Sequence, residues 1–438
     1  MTTQQPIRLT RRRLLGSSAA VAASALVGCD RASTNSGDQS NTASEAKRPL
    51  VPLRLTMVGD PAALEVITRG WDTVAEHPVD IDLIPLDRSK PEGLAEQVIA
   101  AAEQTDVLIL PLVLTAELIQ RELVVPLSGE AFETADQSLG AIVPAVRNGA
   151  ARFAGEIYTV PLGSPLPFLL SVEELESVDS WQAYDRLVQR WDGEAAEPTA
   201  PGWAAAMWLW RSAAERNWLF GREYLEPLVD TEPYVRSLEQ MVQTCSRYQS
   251  KGLTPQQVWQ GVASSELRGG IGFPELRSEV EGNVIIAGLP GTSDRSRVLF
   301  DPFSPVSLLA SSCRQSAVAK RFMTWMSGGE GSRTVRREVR GMTDTRVPGA
   351  SSSSTEGSNY DRQLTARLSS PVTMPTLQLL GGCEYYAVLD EQVIRAINEE
   401  VSPSEALGNV AEQWQAITDR VGTKDQRRVW RRAQGMRG

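Results

Sequence analysis

Residues 53–110 read LRLTMVGDPAALEVITRGWDTVAEHPVDIDLIPLDRSKPEGLAEQVIAAAEQTDVLIL and contain three apolar runs separated by two segments with helical periodicity. The runs cover residues 53–58, 79–86 and 106–110, and the last has the unbroken hydrophobicity of a strand covered on both faces. Between the runs, apolar side chains recur at three- and four-residue steps, first at Leu64, Ile67, Trp71 and Val74 and then at Leu94, Val98, Ala101 and Ala102. The stretch therefore predicts a βαβαβ unit with a parallel sheet.

Two loops of this unit leave the carboxyl ends of predicted strands, where ligands bind in open α/β sheets. They are Gly59-Asp60-Pro61 and Pro111-Leu112-Val113, and neither has the glycine spacing that lets backbone approach a pyrophosphate. The motif Gly-x-x-x-x-Gly-Lys-Ser/Thr does not occur in the chain. The sequence therefore predicts a small-molecule crevice without a nucleotide. Asp60 either faces that crevice or caps the following helix.

The first 28 residues have the layout of an export signal. Arg8 and Arg11-Arg12-Arg13 precede an apolar run over residues 14–27, which is too short to span a bilayer. Residues 10–15 (TRRRLL) resemble the twin-arginine export motif. Leu26-Val27-Gly28-Cys29 is similar to a lipobox, in which the cysteine becomes the diacylated N-terminus of the mature protein. An ordinary cleaved signal with a chance cysteine is the alternative.

Residues 29–49 are polar and predict a lipidated Cys29 followed by a disordered tether. Cleavage before Cys29 removes four arginines and no acid, so the formal charge changes from −10 to −14, and nucleic acid is not an expected partner. The other cysteines, Cys245, Cys313 and Cys383, have no CxxC spacing, so they allow at most one disulfide and predict no metal cluster. No cofactor fingerprint is present in the sequence, so no cofactor is expected.

Four of the eleven tryptophans lie between residues 203 and 218. Such rings either stack on the apolar face of a ligand such as a sugar or pack a helix into the core. For Trp208, Trp210 and Trp218 the core interpretation is favoured, because they share a helical segment with other apolar residues. Trp203 follows Pro201-Gly202 at the start of that helix, so we predict that it faces a ligand.

Six short segments, in their order along the chain, resemble a known family. Residues 106–109 (DVLI) and 123–127 (LVVPL) are similar to a strand and the segment after it, and residues 155–161 (GEIYTVP) are similar to a crossing between lobes. Three helix segments follow, at residues 180–184 (SWQAY), 319–326 (AKRFMTWM) and 402–407 (SPSEAL). Behind a lipobox, these segments resemble the extracellular solute-binding lipoproteins of bacterial ABC importers, in particular the large family that includes maltose- and other sugar-binding proteins.

The resemblance implies a two-lobed, type II periplasmic-binding-protein-like α/β fold. Each lobe is expected to be a mainly parallel sheet flanked by helices, and hinge crossings join the lobes. The first lobe is expected at residues 50–160 and 286–345, and the second at residues 161–285 and 346–438. The implied function is a monomeric receptor that captures a small polar solute, expected to be a carbohydrate, and delivers it to ABC permease subunits. The lipid anchor would hold it on the periplasmic side of the cell membrane.

The resemblance also implies site residues. Tyr385 and Tyr386 match the position of an aromatic platform, and Phe273 lies where relatives often carry a cleft tryptophan. Adjacent helix positions differ by about 100°, so one tyrosine is expected to pack in the core while the other faces the cleft. The resemblance favours Tyr385 as the tyrosine in the cleft, whereas a count along the apolar stripe favours Tyr386. The complete predicted ligand-binding set is Asp60, Pro111, Ser164, Trp203, Phe273, Glu275, Phe303, Arg346, Tyr385 and Tyr386.

Catalysis finds little support in the sequence. The single histidine, His77, precedes a proline at the end of a surface helix, and neither a Gly-x-Ser-x-Gly elbow nor a zinc-binding helix motif occurs. We therefore predict that the protein is not an enzyme. Two alternatives stay open, an exported enzyme that uses the twin-arginine route because it folds around a cofactor, and a binding-protein fold kept as a sensor without a transport role.

Overall fold

The computed structural model describes residues 50–213, 218–221, 223–277, 284–291, 297–347, 358–374 and 376–436. The predicted signal peptide (residues 1–28), Cys29 and the predicted tether (residues 29–49) lie outside the described residues. The described residues all belong to one compact unit. Among the described residues, no helix combines the length and the apolar character needed to cross a membrane.

Most strands after the first three have only two to four residues. They are β1 (Leu53–Gly59), β2 (Val79–Pro85), β3 (Val107–Pro111), β4 (Val124–Val125), β5 (Arg152–Phe153), β6 (Glu156–Ile157), β7 (Thr159–Pro161), β8 (Phe168–Ser171), β9 (Ala195–Ala196), β10 (Gly269–Gly272), β11 (Ile285–Ala287), β12 (Val298–Leu299), β13 (Pro305–Ala310) and β14 (Thr373–Met374).

The longest helices lie towards the end of the chain. They are α1 (Ala62–Asp72), α2 (Leu94–Ala102), α3 (Thr115–Gln120), α4 (Gly129–Leu139), α5 (Pro144–Gly149), α6 (Trp181–Arg190), α7 (Ala204–Ser212), α8 (Glu232–Cys245), α9 (Pro255–Ala263), α10 (Ser316–Met326), α11 (Arg333–Glu338), α12 (Asn359–Leu368), α13 (Gly382–Ile397), α14 (Pro403–Val421) and α15 (Thr423–Ala433).

The first sheet has the strand order β2-β1-β3-β13-β4, and β7 pairs with β13 outside this path. The chain directions of β1, β2 and β3 are parallel, with Leu53 opposite Val79 and Leu55 opposite Val107. Because α1 and α2 connect these strands, the predicted parallel βαβαβ unit is confirmed. The strand β13 enters from much later in the chain and runs antiparallel to β3, β4 and β7.

All five residues of β3 are buried, which explains the unbroken apolar run. Successive side chains of a strand point to opposite faces of the sheet. Val107 and Ile109 join a core that contains residues of α1, α10 and α11, whereas Leu108 and Leu110 join the larger core on the other face. Helices therefore cover both faces of the first sheet.

The second sheet has the order β11-β8-β10-β9. Within it, β10 and β11 both run antiparallel to β8, and only the short β9 runs parallel to β10. The opening unit is parallel, as expected. The rest of the first sheet and the second sheet contain antiparallel pairs, so the expectation of two mainly parallel sheets does not hold there. The reason is that the chain reaches β8, β10 and β13 by long excursions rather than by single crossover helices.

Four segments from separate parts of the chain lie side by side. The N–H of Leu162 donates to the carbonyl of Pro305 at 3.0 Å, that of Thr343 to Leu162 at 3.2 Å, and that of Gly341 to Glu275 at 3.0 Å. The chain rejoins the first sheet at β13, after β11 has paired within the second sheet. The boundaries given above for the two lobes stay a prediction.

Candidate ligand-binding cleft

A cavity of about 560 Å³ opens where β1, β2 and β3 end. Residues 59–61 after β1, residues 86–89 after β2 and Pro111 at the end of β3 form one part of its wall. The segments that precede α7 and follow β10 contribute Trp203 and Phe273 to the rest. The volume lies within the range of about 300–1,000 Å³ that small-molecule sites usually have.

Three aromatic side chains line the cavity. Trp203 directly precedes α7, Phe273 follows β10, and Phe303 lies two residues before β13. The rings of Trp203 and Phe273 meet edge to face, with centroids 5.7 Å apart. Together the three rings give this part of the cavity wall a rigid apolar character.

Arg88, in the loop after β2, joins this loop to the aromatic side of the cleft. Its guanidinium lies 3.5 Å from the ring centroid of Trp203 and donates to both carboxylate oxygens of Asp301, at 2.5 and 2.9 Å. Its Nε donates to the carbonyl of Gly202 at 3.1 Å. Burial lowers the pKa of Arg88, but Asp301 and Tyr386 together raise it by more, so the net shift is upward and the guanidinium stays charged.

Gly202 lets the backbone in front of α7 approach Arg88. Its φ is +83°, and a Cβ at this position would lie 2.7 Å from the carbonyl carbon of Arg88, so both the left-handed conformation and the close approach require glycine. Asp390 on α13 accepts hydrogen bonds from the N–H groups of Gly202 and Ala205, at 2.6 and 2.9 Å. This carboxylate satisfies donors at the N-terminus of α7 and so fixes the position of Trp203.

A second charged group lies at the mouth of the cavity. Arg340 places its Nη1 3.2 Å from Oε2 of Glu275 and its Nε 3.8 Å from Oδ2 of Asp60. Asp60 also accepts a hydrogen bond from the N–H of Ala62 at 2.9 Å. The two roles that the sequence left open for Asp60 are therefore compatible, because it stabilises the start of α1 and lines the cavity.

Burial raises the pKa of the Glu275 carboxyl above its ordinary value of 4.5, although Arg340 and Arg88 oppose the shift. A carboxyl that binds its proton more tightly in the folded state lowers the free energy of unfolding as pH rises through and above 4.5. Glu275→Gln has no such carboxyl. We therefore expect its free energy of unfolding to increase relative to that of the wild type as the pH rises above 4.5.

Urea denaturation across a pH series measures this difference. Glu65→Gln serves as the control, because Glu65 belongs to an exposed helical pair with Arg69. A difference between Glu275→Gln and the wild type that is the same at every pH would contradict the prediction.

One hydroxyl at the cavity is left without a protein partner. Ser304 is 1% exposed and lines the cavity, and its Oγ has no hydrogen-bond partner among the described residues. A buried polar atom that makes no hydrogen bond is unfavourable by about 1–3 kcal/mol. Rotation of the Ser304 side chain would bring this buried hydroxyl to the cavity, where it could exchange a hydrogen bond with a polar ligand.

Six of the ten residues predicted from the sequence line the cavity. They are Asp60, Pro111, Trp203, Phe273, Glu275 and Phe303. Tyr386 lies just behind them, because its hydroxyl donates to the carbonyl of Gly202 at 2.7 Å and its ring packs 4.9 Å from that of Phe303. That these residues contact a ligand stays a prediction.

The placement of Tyr385 in the cleft is wrong. Its ring is fully buried and packs against Phe220 and Trp414, and its hydroxyl bonds Thr418 Oγ1 at 2.6 Å and accepts from Gln426 at 3.1 Å. The side chain therefore points into the core formed by α13, α14 and α15. The count along the helical stripe, which favoured Tyr386, gave the better orientation.

Arg346 and Ser164 also lie away from the cavity. Arg346 binds Asp136 and the carbonyl of Gly140 behind the first sheet, at 2.8 and 2.7 Å, because the chain turns away from the cleft after the crossing near residue 343. Ser164 is fully buried in another crossing, where its N–H donates to Oγ1 of Thr343 at 3.0 Å. Its role is to hold two crossings together.

Arg88, Arg340 and Ser304 were not found from the sequence. A signal existed for Arg88, because Asp87-Arg88-Ser89-Lys90 follows the second strand of the βαβαβ unit and is the third loop at the same sheet edge. For Arg340 and Ser304 no local pattern marks the cavity, since both reach it from segments that follow long excursions of the chain.

Among the described residues, no three His, Cys, Asp or Glu side chains are grouped so that they could hold a metal ion. Cys245, Cys313 and Cys383 are free thiols, which answers the question about a disulfide among these three. Burial raises the pKa of Cys383 to about 12, so its thiol stays protonated and unreactive near neutral pH.

No protein-family model matches the chain, and no curated protein matches its sequence. Solved structures do match it over most of its length. Maltose-bound MalE3 of T. maritima has a TM-score of 0.65 at 15% identity, with 83% of this chain and 99% of that chain covered. The chain has the periplasmic-binding-protein fold. Two further structures with this fold agree with that assignment.

An ABC transporter solute-binding protein from Agrobacterium vitis S4 with bound D-mannitol has a TM-score of 0.60 at 12% identity, covering 85% of this chain and 99% of that chain. The GacH receptor of Streptomyces glaucescens, studied without ligand and with acarbose, has a TM-score of 0.60 at 14% identity, and the match covers 84% of this chain and 98% of that chain. The cavity described above is bordered on one side by the loops at the carboxyl ends of β1 to β3. On the other side it is bordered by the segments that carry Trp203 and Phe273.

Proposed function

We propose that this protein is an extracytoplasmic solute-binding receptor of an ABC importer and that its ligand is a carbohydrate. The observation that carries the proposal is the composition of the cleft, where the rings of Trp203, Phe273 and Phe303 stand beside the carboxylates of Asp60 and Glu275. Aromatic faces bind the C–H surface of a sugar, and carboxylates accept hydrogen bonds from its hydroxyls.

Similar structures support the ligand class. Their bound molecules, maltose, D-mannitol and acarbose, are small and rich in hydroxyl groups. In this protein a ligand would be captured between loops of the two sheets by closure about the crossings, and an ABC permease would then receive it. The protein binds and releases its ligand without changing it chemically, so it is not an enzyme.

We expect a cognate sugar to stabilise the protein by mass action. At about a hundred times its dissociation constant, a ligand that binds only the folded state raises the free energy of unfolding by roughly 2.7 kcal/mol. A thermal-shift screen of mono- and oligosaccharides, polyols and amino acids measures this effect. Conversion of a stabilising ligand into product would contradict the receptor function, and stabilisation by amino acids alone would contradict the carbohydrate.

A pair of serine variants tests whether such a ligand occupies the cleft. Ser304→Ala removes the unpartnered hydroxyl at the cavity, so we expect the ligand-free protein to keep or gain stability and the affinity for the ligand to fall by about 0.5–1.5 kcal/mol. Ser307→Ala is the matched control, because Ser307 lies on the same chain segment and donates to the carbonyl of Val160 at 3.3 Å, away from the cavity. Equal affinities of both variants would place the ligand elsewhere.

We further propose that the mature protein is anchored to the membrane through a diacylated Cys29 after export by the twin-arginine route. Stable attachment needs two acyl signals, which a diacylglyceryl cysteine supplies. Cys29→Ser should therefore convert a membrane-associated protein into a soluble or unprocessed one, as measured by fractionation of cells. A variant that stays with the membrane fraction as the wild type does would rule the anchor out.

A further inference from the structure

Helix α15 carries an exposed basic stripe. Its eleven residues include five cations and one acid. Lys424, Arg428 and Arg431 are exposed and follow one another at steps of four and three residues, so they lie on one face. Val429 and Trp430 are buried on the other side and hold the helix in this orientation. The stripe is therefore a fixed surface of the fold.

The charges of this stripe are mostly uncompensated. Arg428 pairs with Asp425, the one acid of the helix, at 2.9 Å. Lys424 and Arg431 have no carboxylate partner among the described residues. The rest of the protein is acidic, with a formal charge of −10 for the whole chain. Because charges more than about 8–10 Å apart are screened at physiological salt, the distant acids do not cancel the local field of the stripe.

An exposed aromatic ring extends the same surface. Tyr224 is 67% exposed, the largest fraction together with Val51 among the exposed large hydrophobic side chains of the described residues. The guanidinium of Arg427, also on α15, lies 5.7 Å from its ring centroid. Tyrosine beside lysine and arginine is the combination that suits a membrane interface, where the ring sits at headgroup level and the cations meet phosphates.

We propose that the stripe formed by Lys424, Arg428 and Arg431, with Tyr224 beside it, docks on an anionic phospholipid bilayer. Charge complementarity selects this partner, since regularly spaced cations on a flat helix face match a surface of phosphate headgroups. The docking goes beyond the proposed solute-binding function and depends on the anchor only for proximity.

The test uses the mature protein from residue 29 with Cys29→Ser, so that binding can come neither from acyl chains nor from the basic and apolar residues 1–28. Cosedimentation with phosphatidylcholine vesicles that contain phosphatidylglycerol should show binding that high salt abolishes, and pure phosphatidylcholine vesicles should not bind. Each cation near an anionic surface contributes about fivefold in affinity, that is about 1 kcal/mol. The added triple change Lys424→Gln/Arg428→Gln/Arg431→Gln should therefore lower the partition coefficient on the order of a hundredfold.

The matched control is Arg69→Gln/Arg121→Gln/Arg236→Gln, which changes the net charge equally at exposed helix positions elsewhere. It should leave vesicle binding nearly unchanged, and thermal melts should show both triple variants folded, since all six side chains are at the surface. Equal losses from the two triple variants, or equal binding to pure phosphatidylcholine, would overturn the proposal. Absence of vesicle binding combined with reduced solute uptake by the α15 variant would also overturn it, in favour of a protein partner.

Discussion

Arg88→Met should lower the free energy of unfolding of the ligand-free protein by about 3–5 kcal/mol. The substitution leaves the Asp301 carboxylate, which is only 3% exposed, without its counter-ion and removes a donor from the carbonyl of Gly202. Removing one partner of a buried ion pair costs far more than the pair itself contributes, because an uncompensated charge remains in a poorly solvated site. Urea denaturation of the two proteins measures the difference.

Two further variants make this result specific. Arg69→Met breaks the exposed pair with Glu65 and should change stability by less than about 1 kcal/mol. Arg88→Met/Asp301→Asn removes both charges, so it should recover part of the stability lost by Arg88→Met alone. If Arg88→Met were no more destabilising than Arg69→Met, the buried pair would not hold the loop after β2 against the start of α7.

Tyr385→Ala should destabilise the protein by about 3–5 kcal/mol and leave ligand affinity unchanged. Its ring fills a fully buried site between Phe220 and Trp414, with centroids 5.9 and 5.5 Å away, so truncation creates a cavity in the core. The backbone carbonyl of Tyr385, which accepts from the indole of Trp414 at 2.9 Å, stays in place. Denaturation curves and ligand titration, measured on the same preparations, test the two halves of the prediction.

Tyr385→Phe is the control for this site. It keeps the ring and loses only the hydroxyl that contacts Thr418 and Gln426, so the loss should be about 1–3 kcal/mol. Weaker ligand binding by Tyr385→Ala without a loss of stability would restore the platform role that the resemblance gave to this tyrosine.

Local periodicity was sufficient for the first sheet and for part of the site. The βαβαβ unit was readable because each strand and helix of residues 53–111 carries its own apolar pattern, and sequential elements pair with near neighbours. Asp60 and Pro111 follow from the same reasoning, since the carboxyl ends of parallel strands mark a crevice whatever the rest of the chain does. Trp203 was accessible because a proline and a glycine isolate it at a helix start.

Only the tertiary structure decided which of the remaining candidates face the cleft. Tyr385 and Tyr386 are adjacent and equally buried, and the packing of α14 and α15 against α13 determines that the first enters the core while the second approaches Arg88. Arg346 looked available as a cation, but its path after the crossing brings it to Asp136. The sequence by itself determined the elements of the opening unit and the sheet edge that borders the cavity, because these depend on local patterns. The contacts of Arg88, Arg340 and Ser304 join residues more than two hundred positions apart or segments reached by long excursions, and such contacts arise only when the whole chain is packed.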